Sequence, residues 1–137
     1  MKIPSVLILI ITTGLVNLCL SEVSHAQLPN EAGGVSVALN EGSSKALAKY
    51  FDEMVEISLN NNKKDFSKSQ AEMVLRDFFK TYPATGFETV QEGRTSENLL
   101  YIIGIYCAKD DKFRVLIRGK IDDEGHLMVY RMDFIKE

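Results

Sequence analysis

The chain has 137 residues, with 16 Lys and Arg against 19 Asp and Glu, a formal net charge of −3 and 45% hydrophobic residues. Those values fit one domain folded around a single core, and they exclude a nucleic-acid binder, which needs a concentrated basic face to neutralise phosphates. Nine Gly and three Pro exclude collagen-like and low-complexity chains, while two His and two Cys offer no basis for a metal centre, so neither metal nor cofactor is expected.

The N-terminus carries an export signal. Lys2 supplies a positive charge, and Val6 to Leu20 is apolar apart from Thr12, Thr13, Gly14 and Asn17. A bilayer span needs about 20 residues, so this shorter run suits the central region of a secretory signal peptide. Ser24 and Ala26 are small residues at the positions a signal peptidase reads, which predicts cleavage after Ala26. Lipidation at Cys19 is disfavoured by the bulky Leu18 before it. The expectation is an exported protein, periplasmic or released, with no membrane anchor after cleavage. Residues 1–26 are then the signal, 27–42 a lead-in and 43–137 the domain. Once 1–26 are removed, Cys107 is the only cysteine and no internal disulfide can form.

The lead-in contains Gly33-Gly34 and no sustained period, so it reads as flexible, with a short extended piece over Val35–Leu39. After Ser43 or Ser44, Leu47, Tyr50, Phe51, Met54 and Ile57 recur at three- and four-residue steps. That pattern predicts an amphipathic helix of about four turns, ended by Asn60-Asn61-Asn62. A second helix opens on Ser67-Lys68-Ser69-Gln70, a capping box in which the Ser67 hydroxyl and the Gln70 amide each satisfy a backbone group. Its stripe is Ala71, Val74, Leu75, Phe78 and Tyr82, and Pro83 stops it.

Beyond Gly86 the period becomes two. Residues 87–93, 99–108, 113–121 and 126–135 read as four antiparallel strands joined by polar loops. With 109–112 as the first turn, Ile105 opposes Val115 and Ile103 opposes Ile117. With 122–125 as the second, Val115 opposes Met132, Ile117 opposes Tyr130 and Phe113 opposes Phe134. This register gathers Leu99, Tyr101, Ile103, Ile105, Phe113, Val115, Ile117, Tyr130, Met132 and Phe134 on one face. It sends Asp133 outward opposite Arg114. The fold class is therefore α+β: two N-terminal helices on one face of a curved four-stranded antiparallel sheet.

The segments Phe66-Ser67-Lys68-Ser69-Gln70-Ala71, Phe78-Phe79, Tyr101-Ile102-Ile103-Gly104 and Phe113-Arg114-Val115 resemble the Bacteroidota family of domain of unknown function 4783. The resemblance covers roughly residues 41–137. It implies a cystatin-like cone within the nuclear transport factor 2-like superfamily, in which helices are wrapped by a curved sheet. That superfamily hosts isomerases, ligand binders and dimerisation modules alike, so the resemblance supplies no active site.

Two functional readings follow from the register. The outer sheet face would carry Leu100, Ile102, Leu116 and Val129 rimmed by Arg118 and Arg131, an apolar patch of the kind that mediates self-association or binding to another exported protein. The alternative is a pocket for a small apolar ligand, or an isomerase-like site, between helices and sheet around Tyr101, Tyr130 and Cys107. No inward carboxylate or histidine joins those tyrosines, so a proton-transfer reaction lacks its base, which favours a non-catalytic domain. Asp133 turned inward would supply one. His126 reads as a solvated turn residue.

Overall fold

A computed structural model describes residues 30–137. The expected signal over 1–26 and its cleavage after Ala26 lie outside the described residues, as does the start of the lead-in. Three helices and six strands follow in the order α1 (Asn30–Glu41), α2 (Ser44–Ala48), β1 (Phe51–Leu59), β2 (Asn62–Ser67), α3 (Lys68–Thr81), β3 (Ala84–Ser96), β4 (Leu99–Ala108), β5 (Lys112–Ile121) and β6 (Leu127–Lys136). The strands form one sheet in the order β2-β1-β6-β5-β4-β3. β1 runs parallel to β6, and every other pair is antiparallel. The fold is α+β, but its sheet is six-stranded and mixed rather than four-stranded and antiparallel.

Of the two extra strands, β2 comes from the connection that follows the segment expected to be the first helix, and β1 from that segment itself. Only Ser44–Ala48 is helical there, with the Ser43 side chain accepting from the Ala46 N–H. From Phe51 onward the chain is extended. Phe51, Val55 and Ile57 are buried at even steps, as one face of a strand requires, whereas Met54 of the expected helical stripe is 56% exposed. A four-residue step suits a strand face as well as a helix face, so the spacing imitates a helix. Asn60 and Asn61 do adopt positive φ, at 51° and 72°, but in the two-residue turn of the β1–β2 hairpin rather than at a helix end.

The lead-in is also different from expectation. Residues 30–41 form α1, which buries Ala32, Val35, Ala38 and Leu39. Gly34 is required by packing, since a Cβ there would lie 2.0 Å from the Tyr50 hydroxyl. The expectation for α3 holds: the Ser67 hydroxyl accepts from the Gln70 N–H, and the Gln70 amide accepts from the Ser67 N–H. Ala71, Leu75, Phe78 and Phe79 are buried, whereas Val74 and Tyr82 are half-buried.

The helices cover one face of the sheet, and the core lies between. Phe78 sits at its centre, with ring centroids 5.8 Å from Tyr106, 5.1 Å from Phe113 and 4.8 Å from Phe134. β5 presents Phe113, Val115 and Ile117 to this core as expected, and β6 presents Met132 and Phe134. The facing of β4 is reversed. Ala108 and Asp111 exchange both backbone hydrogen bonds, so the β4–β5 turn is the tight pair Lys109-Asp110. Ile102 then opposes Ile117 and Tyr106 opposes Phe113. This one-residue slip turns every side chain of the strand over. Leu100, Ile102 and Tyr106 point under the helices, and Leu99, Tyr101, Ile103, Ile105 and Cys107 point away.

Between β5 and β6 the pairing differs from expectation by an even step, which preserves parity: Val115 opposes Phe134, Ile117 opposes Met132 and Arg114 opposes Ile135. A bulge after Arg118 then places Gly119 opposite Val129, leaving Tyr130 as the extra residue. Val129 is fully buried and Tyr130 only half-buried.

Candidate functional site

The interior under α3 has the character of a packed core. Tyr106 is fully buried there, its hydroxyl donates to the Tyr82 carbonyl at 2.6 Å, and burial pushes its pKa up to about 12. The rings of Phe78, Phe79, Tyr82, Phe113 and Phe134 occupy the space around it. The three residues expected to line a pocket here are elsewhere. Tyr101 and Cys107 are on the opposite sheet face, and Tyr130 is the bulged, half-buried residue of β6. They do not come together under the helices. A pocket built on them between helices and sheet is therefore not formed.

The face expected to mediate association also has a corrected membership. Leu100, Ile102 and Val129 belong to the core. Leu116, Arg118 and Arg131 are on the outer face as expected, and the reversal of β4 adds Tyr101, Ile103 and Ile105. Cross-strand partners place these residues in rows. Glu88, Ile105 and Arg114 form one, Gln91, Ile103 and Leu116 the next, and Gly93, Tyr101 and Arg118 the third. Gly93 lets the Tyr101 ring lie across β3, since a Cβ would come within 3.0 Å of its hydroxyl, which accepts from the Gln91 amide at 3.0 Å. All three helices lie on the other side of the sheet, so no described element covers these rows.

Charge on this face is unevenly satisfied. Arg118 stands directly opposite Arg131, a like-charge pair that is unfavourable across strands. Arg131 has neighbouring acids, with its Nε 3.2 Å from both Glu56 Oε1 and Asp133 Oδ2. Arg118 and Glu88 have no ion-pair partner among the described residues. They flank Ile103 diagonally: Glu88 is one row and one strand to one side, Arg118 one row and one strand to the other.

Asp133 does lie on the outer face, opposite Leu116 rather than Arg114, yet it is buried at 7% exposure. His126 lies in the β5–β6 turn, as expected, but is engaged with Glu31 of α1 at 3.0 Å. Sequence reasoning missed that contact because the two residues are far apart in the chain and α1 was not expected. Among the described residues, no group of three or more His, Cys, Asp or Glu is placed to hold a metal ion.

With this geometry in view, the comparisons with known proteins are specific. The family model described as Domain of unknown function (DUF4783) matches residues 32–134. The chain belongs to the DUF4783 family. A family protein from Bacteroides fragilis is 25% identical and superposes with a TM-score of 0.72, covering 76% of this chain and 96% of that one. A family protein from Bacteroides uniformis is 24% identical, with a TM-score of 0.73 and coverage of 77% and 95%. A ketosteroid isomerase-like protein from Erwinia carotovora atroseptica shares the fold at 13% identity, with a TM-score of 0.65 and coverage of 84% and 97%. The cystatin-like, nuclear transport factor 2-like fold implied by the sequence is thus the fold of this DUF4783 chain. No curated protein sequence matches it.

Proposed function

We propose that this DUF4783 domain is an exported, non-catalytic module that associates with a second copy of itself through the outer sheet face, centred on Ile103. The observation carrying this reading is the diagonal Glu88–Ile103–Arg118. A twofold axis lying in the interface across that diagonal at Ile103 brings Arg118 of each copy onto Glu88 of the other. Tyr101, Ile105 and Leu116 then pack against the same strip of the partner. Such a self-complementary patch is what an isologous interface requires. It also relieves Arg118, whose neighbour in the row is a second arginine.

The energetics favour association over solvation. A contiguous apolar strip loses free energy of roughly 25 cal/mol for each Å² withdrawn from water, and the paired charges set register and orientation. The reading predicts that Ile103→Asp and Leu116→Glu leave the circular-dichroism spectrum unchanged but convert a dimer to a monomer in sedimentation velocity. Neither residue belongs to the helix-covered core. A wild-type protein that is monomeric at high concentration, or variants that keep the wild-type oligomeric state, would remove the proposal.

A further inference from the structure

We infer that a hollow on the outer face, at the β1–β2–β6 end of the sheet, binds a single neutral pyranose ring. Ser58, Asn61, Lys63, Arg131, Asp133 and Ile135 line it, and its volume is about 360 Å³. Arg131 and Asp133 border the association strip, opposite Arg118 and Leu116, and the hollow extends from there away from Ile103 onto β1 and β2.

The hollow is built by register. Ser58 is paired with Asp133 on one side and with Lys63 on the other, so a hydroxyl, a carboxylate and an ammonium share one row across β6, β1 and β2. Asn61 overhangs that row from the hairpin turn, and Ile135 continues β6 beyond it. The Asp133 side chain is 10% exposed and is held by Arg131 Nε at 3.2 Å. Ser58 is 5% exposed, and its hydroxyl has no hydrogen-bond partner among the described residues. Among the described residues Glu56 Oε1 is the only fully buried side-chain N or O atom without a hydrogen bond, so the Ser58 oxygen is open to the hollow and available to a ligand atom there.

Charge decides the ligand class. Arg131 is engaged by Asp133 and Glu56, and Lys63 Nζ lies 3.8 Å from Glu56 Oε1. Two acids and two bases therefore neutralise one another, and neither an anion nor an amine finds an uncommitted counter-charge. What remains is hydrogen-bonding capacity of both kinds: Ser58 and Asn61 donate and accept, Asp133 accepts, Lys63 donates. Adjacent hydroxyls, each both donor and acceptor, match that mixture, and Ile135 offers an apolar wall to the C–H face of a ring. The volume lies near the lower end of the roughly 300–1,000 Å³ found for small-molecule sites, which limits the occupant to about one ring.

The test is a titration of the ¹⁵N-labelled protein with D-glucose, D-galactose and D-mannose, with sodium phosphate and glycine as charged controls. The expected result is saturable amide shifts at Ser58, Asn61, Lys63 and Asp133 with at least one hexose at millimolar concentration, and none with the controls. Ser58→Ala and Asn61→Gly should weaken that affinity about tenfold, the size of one lost hydrogen bond, while the remaining spectrum stays folded; glycine at position 61 keeps the positive φ. The inference is overturned by absence of saturable shifts with all three hexoses, by equal shifts with phosphate or glycine, or by hexose binding that both variants leave unchanged.

Discussion

Glu31, in the first turn of α1, grips the β5–β6 turn with both carboxylate oxygens: Oε1 lies 3.0 Å from His126 Nδ1, and Oε2 accepts the Leu127 N–H. The contact ties the first described helix to a hairpin nearly a hundred residues further along the chain.

Both partners titrate in consequence. The hydrogen bond that His126 donates to Glu31 raises the His126 pKa above its ordinary 6.5, with Asp122 and Glu124 of the same turn adding attraction. The Leu127 amide, and then His126, lower the Glu31 pKa below 4.5, against desolvation and Asp122, which oppose the shift. A raised histidine contributes stability in full below its unfolded value and loses it as pH rises through the folded value. A lowered glutamate contributes above its unfolded value and loses it as pH falls through the folded one. The latch is therefore strongest between about pH 4.5 and 6.5. Thermal melts should show wild-type Tm declining from pH 6 to pH 8 relative to His126→Gln; parallel profiles would contradict this.

The β1–β2 turn makes a second prediction. Asn60 has φ 51°, and its side-chain oxygen accepts the Lys136 N–H at 2.9 Å, fastening the hairpin to β6. Asn60→Gly loses only that bond, costing about 1 kcal/mol. Asn60→Ala also forces a Cβ into the left-handed region, and should cost about 2–3 kcal/mol in total. Urea unfolding that ranks alanine equal to or above glycine would refute the assignment.

Gly104 is a packing requirement of a different kind. A Cβ there would lie 2.4 Å from the Phe87 ring and 2.6 Å from the Glu88 carbonyl, and the latter is backbone that cannot rotate away. Gly104→Ala should destabilise by about 1–3 kcal/mol, as overpacked cores do, whereas Gly125→Asn in the exposed β5–β6 turn, where φ is 87° and space is open, should cost far less. Chemical denaturation of the two variants separates them.

In the core, Phe78→Ala removes the ring at the centre of the aromatic cluster and should cost about 3–5 kcal/mol. Tyr106→Phe keeps the ring and deletes the bond to the Tyr82 carbonyl, with an expected loss of about 1–2 kcal/mol. In an ultraviolet pH titration, that variant should also lack the phenol that ionises near pH 12.

These residues show what the sequence could disclose. α3 was legible because its capping box is a local device, read from four consecutive residues. β5 was legible because Phe113, Val115 and Ile117 alternate with Arg114 and Arg118. β4, Leu-Leu-Tyr-Ile-Ile-Gly-Ile-Tyr-Cys-Ala, is apolar on both faces, so its parity rested on the connection alone: pairing Ile105 with Val115 leaves an odd number of residues between the strands, and the observed two-residue turn reverses that parity. α1 was hidden by Gly33-Gly34, of which Gly34 makes room for the Tyr50 ring. β1 was hidden because its four-residue apolar steps, such as Phe51 to Val55, suit a helix face as well as a strand face. The outer face inherited these errors: Leu116, Arg118 and Arg131 were found, Tyr101 was assigned to the interior, and the Glu88–Ile103–Arg118 diagonal emerges only once β4 is turned over.

The self-association proposal is tested most directly by a charge exchange followed by sedimentation velocity. The account predicts a dimeric wild type, weakened association in Arg118→Glu and in Glu88→Arg, and restored dimer in the double variant, because the two charges then meet with signs reversed across the twofold axis. Monomeric wild type, or a double variant no better associated than either single one, would contradict the claim that Ile103 lies on that axis.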